Sequence, residues 1–433
     1  MATEFDLVVV GAGPAGATAA LVAGRAGLNV CLLERGPFAG SKNVYGGVVY
    51  PRVLDELIPQ WWKEAPVERW VTRRSTMMLT GDQSVSLDYR NPAWGAPPYN
   101  GATALRPEFD RWLADKAVEA GATLITSTVA TGLIRERGRV VGVVTDREDG
   151  EIRAALTVAC DGVNSFLARE AGLYPGFSAE HLTLGVKEVL GLPRETIEDR
   201  FGLRDDQGAD IEVVGGTRGL PGGGFVYTNR DSLAVGVVVS LEEHGKAGHR
   251  PEDLIADFKA HPSIAPLVEG GTLLEYSAHL IPEGGYKHMP QLATEGMLVA
   301  GDAAGMCLAA GLWLEGVNFA MGAGVAAGET AVEALRAGDT STTGLAGYRE
   351  RLEKSFVLAD HRRFRDAPEL VLSERVQQRY PALVAGVLEE MFTVTNPRPK
   401  RGAVRIALGQ MKQHRIRWRD LIRDGWKIFR SFG

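Results

Sequence analysis

Cysteine is scarce in this chain of 433 residues, which has only Cys31, Cys160 and Cys307, far apart along it. This spacing contains no CxxC pair, which excludes a disulfide framework and a zinc or iron–sulfur site formed by this chain alone. Thiols that are few and unpaired are typical of proteins in a reducing compartment. The cysteine content therefore predicts a reduced, cytosolic protein.

Long hydrophobic runs are also lacking. The most apolar stretch, residues 299–332, is interrupted by Asp302, Glu315 and Glu329. No run reaches the roughly 18 uninterrupted apolar residues that a membrane-spanning helix needs. Residues 1–6 carry acids where an export signal carries bases. The sequence therefore predicts neither a transmembrane helix nor export.

Glycine, in contrast, is plentiful, and its first cluster has a defined pattern. The 53 glycines are more than turns normally need, which indicates backbone that closely approaches a ligand or itself. The apolar segment 7–10 predicts a strand that runs into residues 11–16 (Gly-Ala-Gly-Pro-Ala-Gly). An alanine-rich helix and a second strand, residues 29–33, follow and end at Glu34. This order predicts a βαβ unit with a GxGxxG turn.

The predicted βαβ unit has the residue types that bind a dinucleotide. Gly11 allows the tight turn, Gly13 lets a pyrophosphate approach the helix N-terminus, and Gly16 lets the helix pack on the strand. Glu34 stands where a carboxylate accepts hydrogen bonds from ribose hydroxyls, and an acid there disfavours a 2′-phosphate. The unit therefore predicts FAD or NAD.

Two further acids, Asp161 and Asp302, stand at the ends of predicted strands, in residues 160–162 (Cys-Asp-Gly) and 301–302 (Gly-Asp). A third segment, residues 106–110 (Arg-Pro-Glu-Phe-Asp), precedes both. With the first motif, these segments resemble the FAD-dependent family that includes aromatic hydroxylases, geranylgeranyl reductases and electron-transfer-flavoprotein:quinone oxidoreductases. The resemblance implies that Asp302 binds the ribitol chain of FAD and that Arg106 reaches the cofactor.

Within that family, three segments resemble the FixC type most. They are residues 41–47 (Ser-Lys-Asn-Val-Tyr-Gly-Gly), 222–229 (Gly-Gly-Gly-Phe-Val-Tyr-Thr-Asn) and 316–321 (Gly-Val-Asn-Phe-Ala-Met). The resemblance implies a membrane-associated flavoprotein that passes electrons from a two-subunit electron-transfer flavoprotein through FAD to a membrane quinone. It also implies a separate small ferredoxin-like iron–sulfur protein as a partner, because this chain has no cysteine after Cys307.

The same resemblance assigns a set of residues to FAD. The set comprises Gly11, Gly13, Pro14, Ala15, Gly16, Glu34, Arg35, Asn43, Gly46, Gly47, Arg106, Val129, Asp161, Gly162, Gly301, Asp302, Gly316, Val317 and Asn318. Residues 316–318 are expected to place a helix N-terminus near the flavin ring, with ordinary helix entry as the alternative. The glycines of residues 322–328 are expected to serve close helix packing, not a second nucleotide site.

Phe225 and Tyr227 are the candidates for a quinone slot, because a flat apolar ring needs aromatic walls. Packing within the middle of the chain is the alternative. Prenyl reductases of this family carry Tyr-x-Trp-x-Phe-Pro in the corresponding segment, and its absence here argues against prenyl reduction. No catalytic acid or base is identifiable; His279 and His288 are the candidates for delivering protons to a quinone.

The fold class predicted is α/β, with a Rossmann-like FAD-binding domain, an antiparallel substrate lobe and a helical C-terminal region. The FAD-binding domain is expected in residues 1–75, 100–180 and 286–340, and the substrate or quinone lobe in 76–99 and 181–285. Residues 341–395 are predicted to be helical, and residues 396–433 to form a basic amphipathic tail helix.

The tail is a separate electrostatic unit. Residues 396–433 hold eleven Lys and Arg against two Asp, a net charge of +9, which leaves −15 for the rest of the chain. From Arg415 to Arg430, basic residues recur at helical spacing beside an apolar line of Trp418, Ile422, Trp426 and Phe429. This pattern suits an anionic membrane surface on the cytoplasmic face, with a partner subunit or the acidic body as alternatives. Nucleic acid is not an expected partner of so acidic a body.

Two other functions remain open from the sequence. One is an NAD(P)H-dependent FAD monooxygenase or prenyl (geranylgeranyl) reductase, since such enzymes need no separate nicotinamide domain. The other is a scaffold subunit whose FAD is structural.

Overall fold

The computed structural model describes residues 3–42, 47–311 and 313–432, which form two main sheets with helices packed on them. The strands are β1 (Thr3–Val10), β2 (Val30–Leu33), β3 (Val48–Val49), β4 (Val67–Thr80), β5 (Gln83–Arg90), β6 (Ala102–Ala104), β7 (Thr123–Ile125), β8 (Ala130–Glu136), β9 (Arg139–Thr145), β10 (Glu151–Ala159), β11 (Leu182–Gly191), β12 (Gln207–Val214), β13 (Gly222–Thr228), β14 (Ser232–Ser240), β15 (Thr272–Pro282), β16 (Ala293–Thr294), β17 (Met297–Val299), β18 (Leu308–Ala309) and β19 (Leu314–Glu315). The helices are α1 (Pro14–Arg25), α2 (Leu54–Leu57), α3 (Arg106–Glu119), α4 (Phe166–Glu170), α5 (Arg194–Phe201), α6 (Leu241–Ala247), α7 (Pro251–Ala260), α8 (Ala265–Val268), α9 (Val317–Ala337), α10 (Gly347–Lys354), α11 (Phe356–Arg363), α12 (Ala367–Val371), α13 (Tyr380–Phe392), α14 (Ala403–Gln413) and α15 (Trp418–Phe432).

The first sheet has a parallel core in the order β17-β10-β1-β2-β7, with β16 at one edge and the β8–β9 hairpin beside β10. Leu7, Val8, Val9 and Val10 of β1 are buried. A central parallel strand is covered on both faces, which is why its sequence is apolar throughout. The carboxyl ends of β17, β10, β1 and β2 therefore meet at one edge of the sheet.

Helices α1 and α9 pack very closely against each other. A Cβ at Gly324 would lie 2.3 Å from the Ala15 carbonyl oxygen, and one at Gly328 would lie 2.8 Å from the Ala19 carbonyl oxygen. Only glycine permits this separation of the two helices. The expectation that residues 322–328 serve packing is confirmed.

The second sheet has nine strands in the order β15-β11-β14-β13-β12-β4-β6-β3, with β5 paired to β4. Its pairs are antiparallel except β12 and β4, which are parallel. On β12, Ala209, Ile211 and Val213 pack into a core with the helices α5 and α7, so the even-numbered residues face the other way. That other face carries Phe225 and Tyr227 of β13, which are opposite Glu212 and Asp210.

Several sequence predictions differ in detail from the structure. The boundary predicted at residue 75 falls inside β4, all of which belongs to the second sheet, and β3 and β6 also pair there. These differences arise from long-range strand pairing, which a local pattern does not reveal.

The C-terminal region is helical, as predicted, but the described part of residues 396–433, predicted as one tail helix, contains two, α14 and α15. Arg415 has a positive φ of 55° in the turn before α15, so it does not continue the basic stripe of that helix as predicted. Within the described ranges, no helix combines the length and apolar character needed to cross a membrane.

Candidate functional site

A cleft of ≈ 260 Å³ lies at the edge where the parallel strands end. Its walls include the residues that follow β1, β2, β10 and β17, together with the N-terminal ends of α1, α3 and α9. Most of the residues assigned to FAD from the sequence line it. They are Gly11, Gly13, Pro14, Ala15, Glu34, Arg35, Arg106, Val129, Asp161, Gly162, Asp302, Gly316 and Val317.

The turn between β1 and α1 is fixed by two glycines and open at a third. Gly11 has a φ of 99°, and a Cβ there would lie 2.3 Å from the Cys160 carbonyl oxygen. A Cβ at Gly16 would lie 1.9 Å from the Gly11 carbonyl oxygen. A Cβ at Gly13 would contact nothing within 4 Å, although Gly13 lines the cleft. Gly11 and Gly16 are therefore needed for the fold, whereas Gly13 leaves space for a ligand.

The N-terminal end of α1 fits a pyrophosphate. Pro14 occupies the first turn, no side chain caps the helix, and that turn has no acidic residue. The first N–H groups of a helix lack partners within it and attract anions. The dinucleotide cofactor implied by the sequence therefore fits this end of the cleft.

Glu34 is held in place by two backbone N–H groups. The Ala12 N–H donates to Glu34 Oε2 at 3.2 Å, and the Gly36 N–H donates to Oε1 at 2.7 Å. The carboxylate is buried in the wall of the cleft. It is thus fixed at the end of β2, where ribose hydroxyls could donate to it.

Arg106, the first residue of α3, forms a buried bidentate ion pair with Asp110. Its Nε lies 2.7 Å from Asp110 Oδ1, and its Nη2 lies 2.8 Å from Oδ2. Asp110 therefore orients the guanidinium, which lines the cleft.

The two acids at strand ends have different surroundings. Asp161 accepts a hydrogen bond of 2.6 Å from the Ser165 hydroxyl, so it also holds the turn into α4. Asp302 faces His279 of β15 across the cleft. Burial raises the pKa of Asp302 and lowers that of His279, although each opposes the shift of the other.

The remaining assigned residues lie elsewhere. Gly301 packs on α1, where its Cβ would lie 2.9 Å from the Ala15 Cβ. Gly47 and Asn318 line a second, much smaller cavity, which shares Gly316 and Val317 with the cleft. Asn43 and Gly46 lie outside the described residues.

The two candidate quinone residues stack on each other. The rings of Phe225 and Tyr227 are 4.6 Å apart and 14° from parallel, and both line the second cavity. A Cβ at Gly47 would lie 2.1 Å from Tyr227 Cδ2, so the slot between these elements is closed. Both rings thus lie near residues 316–317, which line both cavities. The rings themselves, however, fill the space between these elements.

The histidines are divided between two places. His279 lines the cleft, whereas His288 stacks on His181 with their ring centres 3.5 Å apart. Cys307 also lines the cleft, and burial raises the pKa of its thiol well above the ordinary value. The thiol is therefore un-ionised at neutral pH.

Sequence reasoning missed a buried group of charged residues beside Phe225 and Tyr227. Arg74 of β4 forms ion pairs with Asp210 and Glu212 of β12, at 3.0 and 3.1 Å. Glu212 and Tyr50 line the second cavity. The alternation of two acids with apolar residues over positions 209–213 was the signal that could have identified it.

Comparisons with known proteins agree with this geometry. The model of an FAD binding domain matches residues 4–199, and that of the ETF-QO/FixC family C-terminal domain matches residues 367–433. Among solved structures, a geranylgeranyl bacteriochlorophyll reductase-like protein from Thermoplasma acidophilum has a TM-score of 0.73 at 20% identity, covering 99% of this chain and 100% of that one. The flavin-dependent brominase Bmp2 has a TM-score of 0.67 at 16% identity, covering 95% and 100%. These structures share the fold.

Curated relatives match over nearly the whole chain. The probable electron transfer flavoprotein-quinone oxidoreductase YdiS of Escherichia coli K12 is 41% identical over 98% of each chain. The protein FixC of Bradyrhizobium diazoefficiens is 40% identical over 99% of each chain. The chain therefore belongs to the ETF-QO/FixC family and is an FAD-dependent oxidoreductase.

Proposed function

We propose that this protein takes electrons from a two-subunit electron-transfer flavoprotein and passes them through FAD to a membrane quinone. The observation that carries the proposal is the likeness to YdiS over 98% of both chains, which includes the C-terminal region. FAD supplies, when bound, a ring that accepts and releases one or two electrons. A small ferredoxin-like iron–sulfur protein is proposed as a further partner, because this chain has no cysteine after Cys307.

The residues of the cleft divide the binding of FAD among them. The α1 N-terminus beside Gly13 receives the pyrophosphate, Glu34 accepts from the ribose hydroxyls, and Asp302 accepts from the ribitol chain. Arg106, oriented by Asp110, reaches the cofactor from α3. The α9 N-terminus directs its partial positive charge into the same cleft, where it stabilises a negatively charged ring.

Helix α15 supports attachment to an anionic membrane surface. Its side chains Trp418, Ile422, Trp426 and Phe429 are between 61% and 71% exposed. The side that packs on the body holds the buried Asp424 and Ser431, and Phe432 packs near Trp313 and Phe364 at the end of the helix. An exposed apolar stripe flanked by lysine and arginine suits an interface with anionic headgroups.

The function is tested under anaerobic conditions. The purified protein is mixed first with NADH or NADPH, and then with reduced electron-transfer flavoprotein and a soluble quinone. We expect the flavin absorbance to bleach only with the flavoprotein and to recover with quinone. Bleaching by a nicotinamide alone would support the monooxygenase or prenyl reductase function. A flavin that neither donor reduces would support a structural role for FAD.

The cofactor site has its own test. Glu34→Ala and Asp302→Ala are expected to purify with much less FAD, while the surface variant Glu195→Ala keeps the wild-type content. Full occupancy in both site variants would mean that FAD binds elsewhere.

A further inference from the structure

Two carboxylates lie next to each other on the face of β12 that is turned away from the second core. Asp210 is 1% exposed and Glu212 is 7% exposed. They are two residues apart on one strand, so both side chains point to the same face. Asp210 is also in register with Arg74 of β4 and Tyr227 of β13.

One guanidinium serves both carboxylates. Arg74 Nε lies 3.0 Å from Asp210 Oδ2, and Arg74 Nη2 lies 3.1 Å from Glu212 Oε1. Over the described ranges, Arg74 is the one cation in ion-pair contact with either acid. The guanidinium also lies 5.6 Å from the centre of the Tyr50 ring. Two buried negative charges therefore share a single positive one.

This imbalance favours retention of a proton. Burial raises the pKa of Glu212 to about 8; the charges of Asp210 and Glu315 add to this shift, and Arg74 opposes it. Burial likewise raises the pKa of Asp210, to about 6. The phenols of Tyr50 and Tyr227 face the same group. Burial raises the pKa of Tyr50 well above its ordinary value, so this phenol is neutral at ordinary pH.

Glu212 and the proton that it retains lie close to the FAD cleft. Glu212, Phe225 and Tyr227 line the second cavity, whose opposite wall is residues 316–318. Gly316 and Val317 of that wall also line the FAD cleft. The cavity has a volume of ≈ 10 Å³, about the space that one water needs.

We propose that Glu212 is a proton donor for the reaction beside residues 316–318, and that Arg74 and Asp210 are its positioning residues. The inference rests on the proposed function, in which a quinone is reduced. A quinone that becomes a quinol gains two electrons and two protons. It takes both electrons and one proton from the reduced flavin, and its second proton from the Glu212 carboxyl group. The O–H bond of Glu212 breaks as its proton passes to a water in the second cavity. That water gives one of its own protons to the quinone oxygen in the FAD cleft, and the carboxylate regains a proton from solvent.

The first test measures the proton without turnover. In infrared spectra of the holoprotein, we expect a carboxylic acid band that disappears as the pH rises through about 8. Glu212→Gln should lack this band, whereas Glu119→Gln, at an exposed position of α3, should retain it. Asp210→Asn should move the transition to lower pH, because a neighbouring negative charge is removed. A Glu212→Gln spectrum identical to the wild-type spectrum would overturn the assignment.

The second test separates the two half-reactions by stopped flow. Glu212→Gln should be reduced by the electron-transfer flavoprotein within about twofold of the wild-type rate. Its reoxidation by a soluble quinone should slow at least about tenfold, and the wild-type rate should fall above about pH 8. Equal reoxidation rates would overturn the donor role while leaving the proposed function intact. A wild-type protein that quinone does not reoxidise would overturn both.

Discussion

Asp424 of α15 and Arg375 of the body form a bidentate pair, in which Arg375 Nε and Nη2 lie 2.5 and 2.9 Å from the two carboxylate oxygens. The Tyr380 hydroxyl also donates to Asp424 at 2.6 Å. Burial alone raises the pKa of Asp424, but these hydrogen bonds outweigh it and lower the pKa to about 2. These contacts attach the polar side of α15 to the body.

Asp424→Ala is expected to loosen α15, because Arg375 would lose its partner. Breaking a largely buried ion pair costs roughly 3 kcal/mol of stability. Trypsin should therefore cleave after the lysine and arginine residues of 417–430 at least about tenfold faster than in the wild-type protein. In the wild-type protein, the contribution of Asp424 is present in full above about pH 4 and decreases as the pH falls towards 2. The control is Phe429→Ala, at an exposed position of the same helix that is not a trypsin site. Equal cleavage of the two variants would show that the pair does not hold α15.

Two of the three glycines in the first motif, Gly13 and Gly16, should behave oppositely when substituted. Gly13→Val should keep the melting temperature of the apoprotein near that of wild type, because a Cβ there contacts nothing within 4 Å. It should nevertheless lower the affinity for FAD by about tenfold, or ~1.4 kcal/mol, measured by flavin titration. Gly16→Ala should destabilise the apoprotein by about 1–3 kcal/mol, the usual cost of overpacking, because its Cβ would lie 1.9 Å from the Gly11 carbonyl oxygen. An unstable Gly13→Val would mean that this residue serves the fold instead.

Attachment to membranes can be measured with vesicles. Replacing Ile422 and Trp426 with Ser should reduce cosedimentation with anionic phosphatidylglycerol vesicles, since less apolar surface enters the headgroup region. Binding to zwitterionic vesicles should be weak in all variants, and high salt should weaken binding to anionic ones. Leu87→Ser, which alters an exposed apolar residue of the second sheet, is the matched control. If the Ile422 and Trp426 double variant binds anionic vesicles as well as Leu87→Ser does, α15 binds a protein partner or has another role.

The three cysteines should be unreactive in the folded protein. Burial raises the pKa of Cys31 to about 12, and it also raises the pKa values of Cys160 and Cys307 well above the ordinary value. Because the thiolate is the nucleophile, an aromatic disulfide at pH 8 should label none of them quickly and all three in guanidinium chloride. Rapid labelling of Cys307 in the native state would instead indicate a redox thiol beside the cleft.

The parts of the structure that depend on residues close together in the sequence could be predicted from it. The turn at residues 11–16, the acid at Glu34 and the helix entry after Gly316 are each specified by a short motif, and the structure brings them to one cleft. The membership of β4 in the second sheet could not be predicted, because it depends on parallel pairing with β12, more than 120 residues away.

Side-chain direction was the other missing information. The amphipathic pattern of α15 was evident, but which side packs on the body is decided by Arg375 and Tyr380, outside the helix. Likewise, Arg74 could be connected to Asp210 and Glu212 only once the register of β4 and β12 was known.

The close packing of α1 and α9 also affects when the cofactor can bind during synthesis. The two helices begin about 300 residues apart in the chain, yet both contribute to the cleft. At a translation rate of about 5–20 residues per second, roughly 15–60 s separate the appearance of the first glycine turn from that of α9. The intervening chain includes all nine strands of the second sheet. The complete cleft can therefore form only after the strands of both main sheets have been synthesised.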